Sequence, residues 1–241
     1  SPILRWLMIK KKYFIKGFAA IKGVGSPAIA LGASFVAIGA LLKNLGFSIQ
    51  ESIFSTFFTY ALPGSLVMAE SMFIGASLLN IFIAVWLVNA RLYPMTVSLM
   101  PLLMDKTQPR WKYYLSCHFI AVSSWLIMKE NYKNINKENR IDFWIGIGSA
   151  TWLVAIVSTI IGYVTSDFLS HDILIGLAII NPIYFTCMMI GSMKTIKISL
   201  SIILGLVLGP AFYLISPEWC ILFGGVTAGT IAFIIGEISD R

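Results

Sequence analysis

The chain has 241 residues, of which 58% are hydrophobic and 12% are charged, and its mean hydropathy is +0.84. An ordinary soluble domain carries about 25% charged residues, so this composition excludes a soluble protein and predicts an all-α polytopic membrane protein. The net charge of +7 does not indicate a nucleic-acid partner, because the basic residues lie in short segments between apolar runs rather than in one stripe with interleaved aromatic residues.

Apolar runs of membrane-spanning length recur along the whole chain. Since a transmembrane helix needs about 20 mostly apolar residues, we predict about eight crossings, or seven if one segment is re-entrant, several of them broken by Pro or Gly. They form a single integral membrane domain over residues 1–241, with lipid around it. The predicted spans are Gly23 to Leu42, Ile53 to Ala69, Ser77 to Met104 with an internal break, Tyr113 to Met128, Phe143 to Val164, Ile173 to Ile190, Ile198 to Ile215 and Cys220 to Ile235.

The basic residues predict the orientation of the chain. Cytoplasmic loops carry an excess of Lys and Arg, so the N-terminal segment and the loop from Lys129 to Arg140 are predicted to be cytoplasmic, with the loop from Asp167 to Asp172 outside. The segment from Lys106 to Lys112 disagrees, because it is also basic and only one predicted span separates it from the Lys129 loop. Either that span is not a simple crossing or the rule is broken once.

Prolines within the apolar runs predict broken helices in both halves of the chain. A proline inside a helix removes the hydrogen bond to the carbonyl four residues earlier, so Pro63 would free the Thr59 carbonyl and Pro94 the Ala90 carbonyl. Paired interruptions of this kind indicate the midplane binding site of a secondary transporter. Proline is also commoner in membrane helices than in soluble ones, so each of them alone is also compatible with a purely structural role.

Arg91 is the strongest candidate for a functional residue. A charged side chain near the bilayer centre costs at least about 2.5 to 3.5 kcal/mol on insertion scales, so it needs a partner or a water-filled cavity. With the helix broken at Pro94, we expect Arg91, Asn89 and the Ala90 carbonyl to converge on one cavity. There the guanidinium would bind a carboxylate and Asn89 would bind the amine. Alternatively, Arg91 snorkels to an interface or pairs with Glu70.

Weaker candidates surround this segment. Pro63, Gly64 and Ser65 break the second span and give a ligand room near the backbone, although small residues also serve helix packing. His118 is the histidine inside a predicted span and is a candidate proton relay, or it simply bonds a neighbouring helix. We expect the apolar part of a solute to fit a pocket lined by Trp86, Met68 and Met72.

The sequence contains no enzyme signature. It has no nucleophile elbow, no His-Glu-x-x-His zinc motif, no phosphate-binding glycine loop and no Cys-x-x-Cys pair. We therefore predict that the protein is not an enzyme and uses neither a cofactor nor a metal. Without a nucleotide site, an ion or proton gradient or facilitated movement remains as the driving force.

Several short motifs follow one another along the chain. They are Gly25-Ser26-Pro27, Ala61-Leu62-Pro63-Gly64, Gly75-Ala76-Ser77, Asn89-x-Arg91 followed by Pro101, and Trp152 with Thr159 and Gly162. In this order they resemble the AzlC/BrnF family of branched-chain amino acid permeases, and the resemblance runs from about Gly17 to Ile190. The resemblance implies a bacterial inner-membrane exporter of leucine, isoleucine, valine and their analogues. It also implies a separate small membrane subunit of the AzlD/BrnE type as a partner.

The sequence departs from the family pattern at two places. Many members carry Gln after the break in the second span, where this chain has Ser65 or a neighbour, and many carry Asp in the fourth span, where Ala121 and Val122 stand here. If that Asp takes part in proton coupling, His118 or Glu70 would have to replace it, or the protein is uncoupled. The alternatives to branched-chain export are a different small carboxylate solute and a non-transporting membrane interaction subunit.

Overall fold

The computed structural model describes residues 10–22, 27–73, 75–191, 193, 195–215 and 220–239. The described residues form α-helices and short 3-10 turns, as predicted for an all-α membrane protein, and the predicted start of the first span at Gly23 lies outside them. The α-helices are α1 (Lys11–Ala19), α2 (Pro27–Asn44), α3 (Ile49–Thr59), α4 (Leu62–Phe73), α5 (Leu78–Asn89), α6 (Leu92–Leu103), α7 (Arg110–Ser116), α8 (Val122–Asn131), α9 (Arg140–Thr165), α10 (His171–Gly191), α11 (Ile196–Ile215) and α12 (Cys220–Ser239).

The helices α2 and α9 run side by side in the same direction and form the scaffold. Small residues allow their backbones to touch: a Cβ added at Gly39 would overlap the Thr159 carbonyl, and one added at Gly162 would overlap the Val36 carbonyl. Lys43 pairs with Asp167 at 2.6 Å just beyond the contact. We call the two ends of this scaffold the Arg140 end and the Asp167 end, after the residues that flank α9.

The segment α3–α4 enters from the Asp167 end and returns to it, and we call it the first hairpin. Gly46, with φ 87°, reverses the chain after α2, and a capping box between Ser48 and Glu51 starts α3. Descending α3 bonds to α9 through the Thr56 and Thr159 hydroxyls, 3.0 Å apart. Tyr60 and Ala61 turn the chain. Rising α4 then packs Ala69 against Ile38 and Leu42 of α2, near the Asp167 end.

The pair α5–α6 crosses from the Asp167 end to the Arg140 end with one bend. Gly75, with φ 70°, turns the chain after α4, and Ser77 caps α5. The two helices meet at an angle of 50° at Ala90 and Arg91. A break was predicted within this span, but it precedes Pro94 instead of lying at it. Pro94 falls in the first turn of α6, where its missing amide hydrogen costs no intrahelical bond.

The segment α7–α8 enters from the Arg140 end and returns to it, and we call it the second hairpin. Trp144 of α9 donates from Nε1 to the Ser116 carbonyl at 3.2 Å, and deeper in the membrane the Phe119 ring lies 6.5 Å from the Trp152 ring. The chain turns at Ile120 and Ala121, and α8 returns so that Met128 packs with Trp144.

The prediction that Tyr113 to Met128 forms one crossing is therefore wrong, and so is the same prediction for Ile53 to Ala69. Each segment contains two short helices that return to the end from which they entered. The hairpin over Tyr113 to Met128 also explains the conflict between the two basic loops. Gln108 donates to the Glu138 carbonyl at 2.8 Å and Lys112 pairs with Asp142 at 3.0 Å, so both loops lie at the Arg140 end and need not be on opposite sides.

The remaining helices complete the bundle. The helix α10 packs on α2, α11 packs on α12, and α12 also contacts α5. Among the described residues, three helices are long and apolar enough to cross a membrane by themselves, or four with the bent pair α5–α6. From α2 to α9 the chain thus alternates between membrane-crossing segments and half-depth hairpins, and the two hairpins enter from opposite ends with α5–α6 between them.

Candidate functional site

Three breaks in the helices meet at one cavity of about 260 Å³, which we call the central cavity. They are the turn of the first hairpin, the bend of α5–α6 and the turn of the second hairpin. Since the first hairpin comes from the Asp167 end and the second from the Arg140 end, the cavity lies at an intermediate depth. Its lining residues are Leu31, Phe35, Tyr60, Ala61, Leu62, Pro63, Arg91, Leu92, Ile120, Ala121, Val122 and Ser123.

Two helices begin at the central cavity. The first residues of α4 (Leu62) and α8 (Val122) both line it. The first amide groups of a helix have no intrahelical carbonyl partner, and the aligned peptide dipoles place partial positive charge there. Such helix ends bind anions. Here two of them, from hairpins that enter from opposite ends, are brought to the same cavity.

Two buried hydroxyl groups also line the cavity. Tyr60 is 3% exposed and lies near the Thr151 side chain. Ser123 is 1% exposed, and its Oγ has no hydrogen-bond partner in the described part of the chain. A buried hydroxyl without a partner costs free energy, so the Ser123 hydroxyl is available to a polar solute or to water in the cavity.

Arg91 brings a positive charge to the cavity wall. It lies at the bend of α5–α6 and is half-buried, and its Nε has no hydrogen-bond partner among the described residues. No carboxylate whose position is described forms an ion pair with it. The alternative pairing with Glu70 cannot be placed, because the Glu70 side chain lies outside the described part of the structure.

Asn89 and Ala90 were expected to face the same cavity as Arg91, but neither residue lines the central cavity. The Asn89 amide lies on Gly64, where an added Cβ would be 2.6 Å from Nδ2, and its Oδ1 has no partner in the described structure. Asn89 therefore joins α5 to the first hairpin beside the cavity. The expectation of a free Ala90 carbonyl is wrong, because this carbonyl accepts a hydrogen bond from the Tyr93 amide at 3.0 Å.

The other predicted residues lie at different distances from the cavity. Pro63 lines it, and Ser65, which is 1% exposed, lies two residues further along α4 with its Oγ unpaired in the described structure. His118 is exposed and does not line the cavity, although its ring lies 6.1 Å from that of Tyr60.

The predicted apolar pocket does not form at the central cavity. Trp86 is 63% exposed and Met72 is 48% exposed, and together with Met68 they are absent from its lining. The exposed indole ring of Trp86 is suited to contact with lipid.

A second cavity, of about 500 Å³, lies between the bend of α5–α6 and α12, and we call it the α12 cavity. Arg91 lines this cavity too, so the same residue belongs to both. The other lining residues are Leu87, Ala90, Pro94, Gly225, Val226, Gly229 and Thr230. Within the described residues, no group of His, Cys, Asp and Glu side chains is arranged to hold a metal ion in either place.

Sequence reasoning missed the wall formed by Tyr60 and by residues 120–123. Tyr60 directly precedes the predicted break, so its position is a signal that was available. The second hairpin has no Pro or Gly between Arg110 and Asn131. Its only local sign is the pair Ser123-Ser124 inside an apolar run, which is also typical of ordinary interhelical hydrogen bonds.

Comparison with known proteins adds one match. A family model described as AzlC protein matches residues 27–169, which is more than half of the chain and contains both hairpins and the bend at Arg91. No curated protein and no solved structure matches this chain.

Proposed function

Because the chain belongs to the AzlC family, a family of membrane transporters, we propose that it is a secondary transporter that exports branched-chain and other small hydrophobic amino acids. The observation that carries this proposal is the meeting of three helix breaks at the central cavity with Arg91, whose Nε has no hydrogen-bond partner among the described residues. In secondary transporters, discontinuous helices place their exposed backbone groups at the substrate site. A cavity of about 260 Å³ lies near the lower limit for ligand pockets, which suits a solute of this size.

The carboxylate of the amino acid would bind on the Arg91 side of the central cavity. The guanidinium offers a planar pair of donors for a carboxylate, and the amide groups that begin α4 and α8 add partial positive charge from both hairpins. These donors lie on elements that come to the cavity from opposite ends of the bundle. The buried hydroxyls of Tyr60 and Ser123 would supply further hydrogen bonds to the solute.

The ammonium group would bind toward the end of α3. The last carbonyl groups of a helix have no intrahelical partner and carry partial negative charge, and α3 ends at Thr59, directly before Tyr60 in the cavity wall. Asn89 contacts Gly64 beside the cavity, and its Oδ1, which has no partner among the described residues, could accept a hydrogen bond. Donors in the cavity wall and acceptors directly beside it would thus serve both charges of a zwitterion.

The opposed hairpins also support alternating access. The first hairpin extends from the central cavity toward the Asp167 end, and the second extends toward the Arg140 end. Movement of one hairpin at a time would open the site to one side of the membrane, as the rocking of repeats does in other secondary transporters. We place the Arg140 end in the cytoplasm of a bacterial inner membrane, because the basic loops lie there. His118 and Glu70 remain the candidates for coupling, and a small AzlD/BrnE-type subunit the candidate partner.

Export of preloaded labelled leucine, valine and methionine from cells that express the chain tests this proposal. The assay is run with and without any small membrane protein encoded beside it. We expect Arg91→Ala to abolish the export seen with wild type while the protein remains in the membrane, and Arg91→Lys to restore little of it, because a point charge does not reproduce the planar fork.

The matched control is Arg110→Ala, which removes an exposed arginine that lines neither cavity. Normal export by Arg91→Ala would contradict the assignment of the site. No export by membrane-inserted wild type, with or without the neighbouring protein, would contradict the proposed solute and favour a different small carboxylate solute or a non-transporting subunit.

A further inference from the structure

We infer that the α12 cavity holds the aliphatic side chain of the solute whose carboxylate lies at Arg91, and that Gly225 and Gly229 set the size of the side chain that fits. This inference rests on the proposed function. It adds a specificity site in a part of the chain, residues 220–239, that lies outside the family match at residues 27–169.

The two cavities meet at Arg91, which lines both of them. On either side of the bend, Leu92 lines the central cavity, while Leu87 and Pro94 line the α12 cavity. A solute held by the Arg91 guanidinium would then place its charged head in the central cavity and its side chain in the α12 cavity.

The chemistry of the two cavities fits this arrangement. The central cavity has apolar walls, but two helices begin at it and the hydroxyls of Tyr60 and Ser123 line it, and these groups suit a charged head. The walls of the α12 cavity are aliphatic apart from Arg91 and Thr230, with Leu87, Pro94 and Val226 as the larger side chains. Since apolar surface is driven out of water into an apolar environment, this wall suits a branched aliphatic side chain.

Gly225 and Gly229 of α12 leave open space in the α12 cavity. A Cβ added at Gly225 or Gly229 would meet nothing within 4 Å, and residues four apart lie on one face of a helix. The neighbouring Gly224 differs, because its added Cβ would lie 3.2 Å from the Gly209 Cα of α11. Helix packing therefore accounts for Gly224, but it does not account for Gly225 and Gly229, which leave the α12 cavity open.

The test is the size selectivity of export. Gly229→Leu and Gly225→Leu would fill the cavity. We therefore expect the export of leucine and methionine to fall by at least about 10-fold relative to the export of alanine. A misfit of about one methylene in an apolar pocket has an effect of this size. Gly229→Ala takes up less space and keeps the chain foldable. We expect it to shift the leucine-to-alanine ratio in the same direction by a smaller factor.

Gly176→Leu is the matched control, because an added Cβ at this exposed glycine of α10 also meets nothing within 4 Å and the residue lines neither cavity. It should leave the ratio unchanged. An unchanged ratio in all three cavity variants, with wild-type export intact, would overturn this inference and leave the proposed function standing. Absence of export in wild type would instead overturn the proposed function and this inference with it.

Discussion

The two half-depth hairpins reach the same cavity by different means. In the first hairpin, Pro63 and Gly64 follow the turn at Tyr60 and Ala61, so residues with restricted or unusually free backbones lie at the break itself. In the second hairpin, side-chain hydrogen bonds shape the turn. Ser124 accepts from the Ala121 amide at 3.0 Å and donates to the Phe119 carbonyl at 2.6 Å. A chain break in a membrane helix therefore needs no proline when a side chain can bond to the released backbone groups.

The hairpins also differ in how they are anchored to α9. Neutral groups hold the first hairpin: the hydroxyls of Thr56 and Thr159 lie 3.0 Å apart, and Trp152 Nε1 donates to the Phe57 carbonyl at 3.1 Å. The second hairpin is anchored by an ion pair that is almost fully buried, since Lys112 is 1% exposed and Asp142 is 0% exposed. We therefore expect the loss of a single polar side chain to lower the stability of the second hairpin far more than that of the first.

The largest expected effect is that of Asp142→Asn. The substitution keeps the shape of the side chain but removes the negative charge that lies 3.0 Å from the buried Lys112 ammonium group. Removing one partner of a buried ion pair typically costs about 3–5 kcal/mol. We expect a loss of unfolding free energy of that size when the purified protein is unfolded with denaturant in detergent.

The matched control is Asp167→Asn, which breaks the Lys43–Asp167 pair at the other end of the scaffold. The Asp167 side chain is 69% exposed, and exposed pairs contribute at most about 1 kcal/mol. Equal losses for the two variants would contradict the view that the buried pair anchors the second hairpin.

A smaller effect is expected for Ser124→Ala. The Ser124 hydroxyl is buried, and its loss leaves the Ala121 amide and the Phe119 carbonyl without these bonds. Leaving buried polar groups unpaired costs about 1–3 kcal/mol. Because the turn forms the wall of the central cavity, we also expect weaker export at low solute concentration. Ser124→Thr keeps the hydroxyl and serves as the control; wild-type stability in Ser124→Ala would show that the turn is held by other contacts.

The smallest effect is expected for Thr56→Val in the first hairpin. It removes one hydroxyl of the Thr56–Thr159 contact and preserves the side-chain shape. Interhelical hydrogen bonds in membrane proteins average about 0.6 kcal/mol in double-mutant cycles, so unfolding should change by about that amount. A double-mutant cycle with Thr159→Val measures the contact directly. A coupling as large as the loss in Asp142→Asn would remove the proposed difference between the hairpins.

Sequence predicted the parts of the site that have a local chemical signature. Arg91 is conspicuous because a charge in an apolar run is costly, and the break near Pro63 is visible because proline and glycine restrict or free the backbone. Residues 120–123 have no such signature, so the second hairpin was predicted as a crossing. The meeting of the two turns depends on contacts between distant segments, which periodicity does not contain. Trp86 looked like a cavity residue because aromatic side chains serve both pockets and lipid-facing surfaces.

The most direct measurement of the central claim is thermal stabilisation of the purified protein by leucine and by leucinamide, in wild type and in Arg91→Lys. A ligand that binds only the folded state raises the unfolding temperature. Leucinamide keeps the side chain and the amine but lacks the carboxylate. If Arg91 and the helix ends bind that carboxylate, leucine stabilises wild type, leucinamide does not, and Arg91→Lys loses most of the effect. Equal stabilisation by both compounds, or full stabilisation of Arg91→Lys by leucine, would contradict a carboxylate site at Arg91.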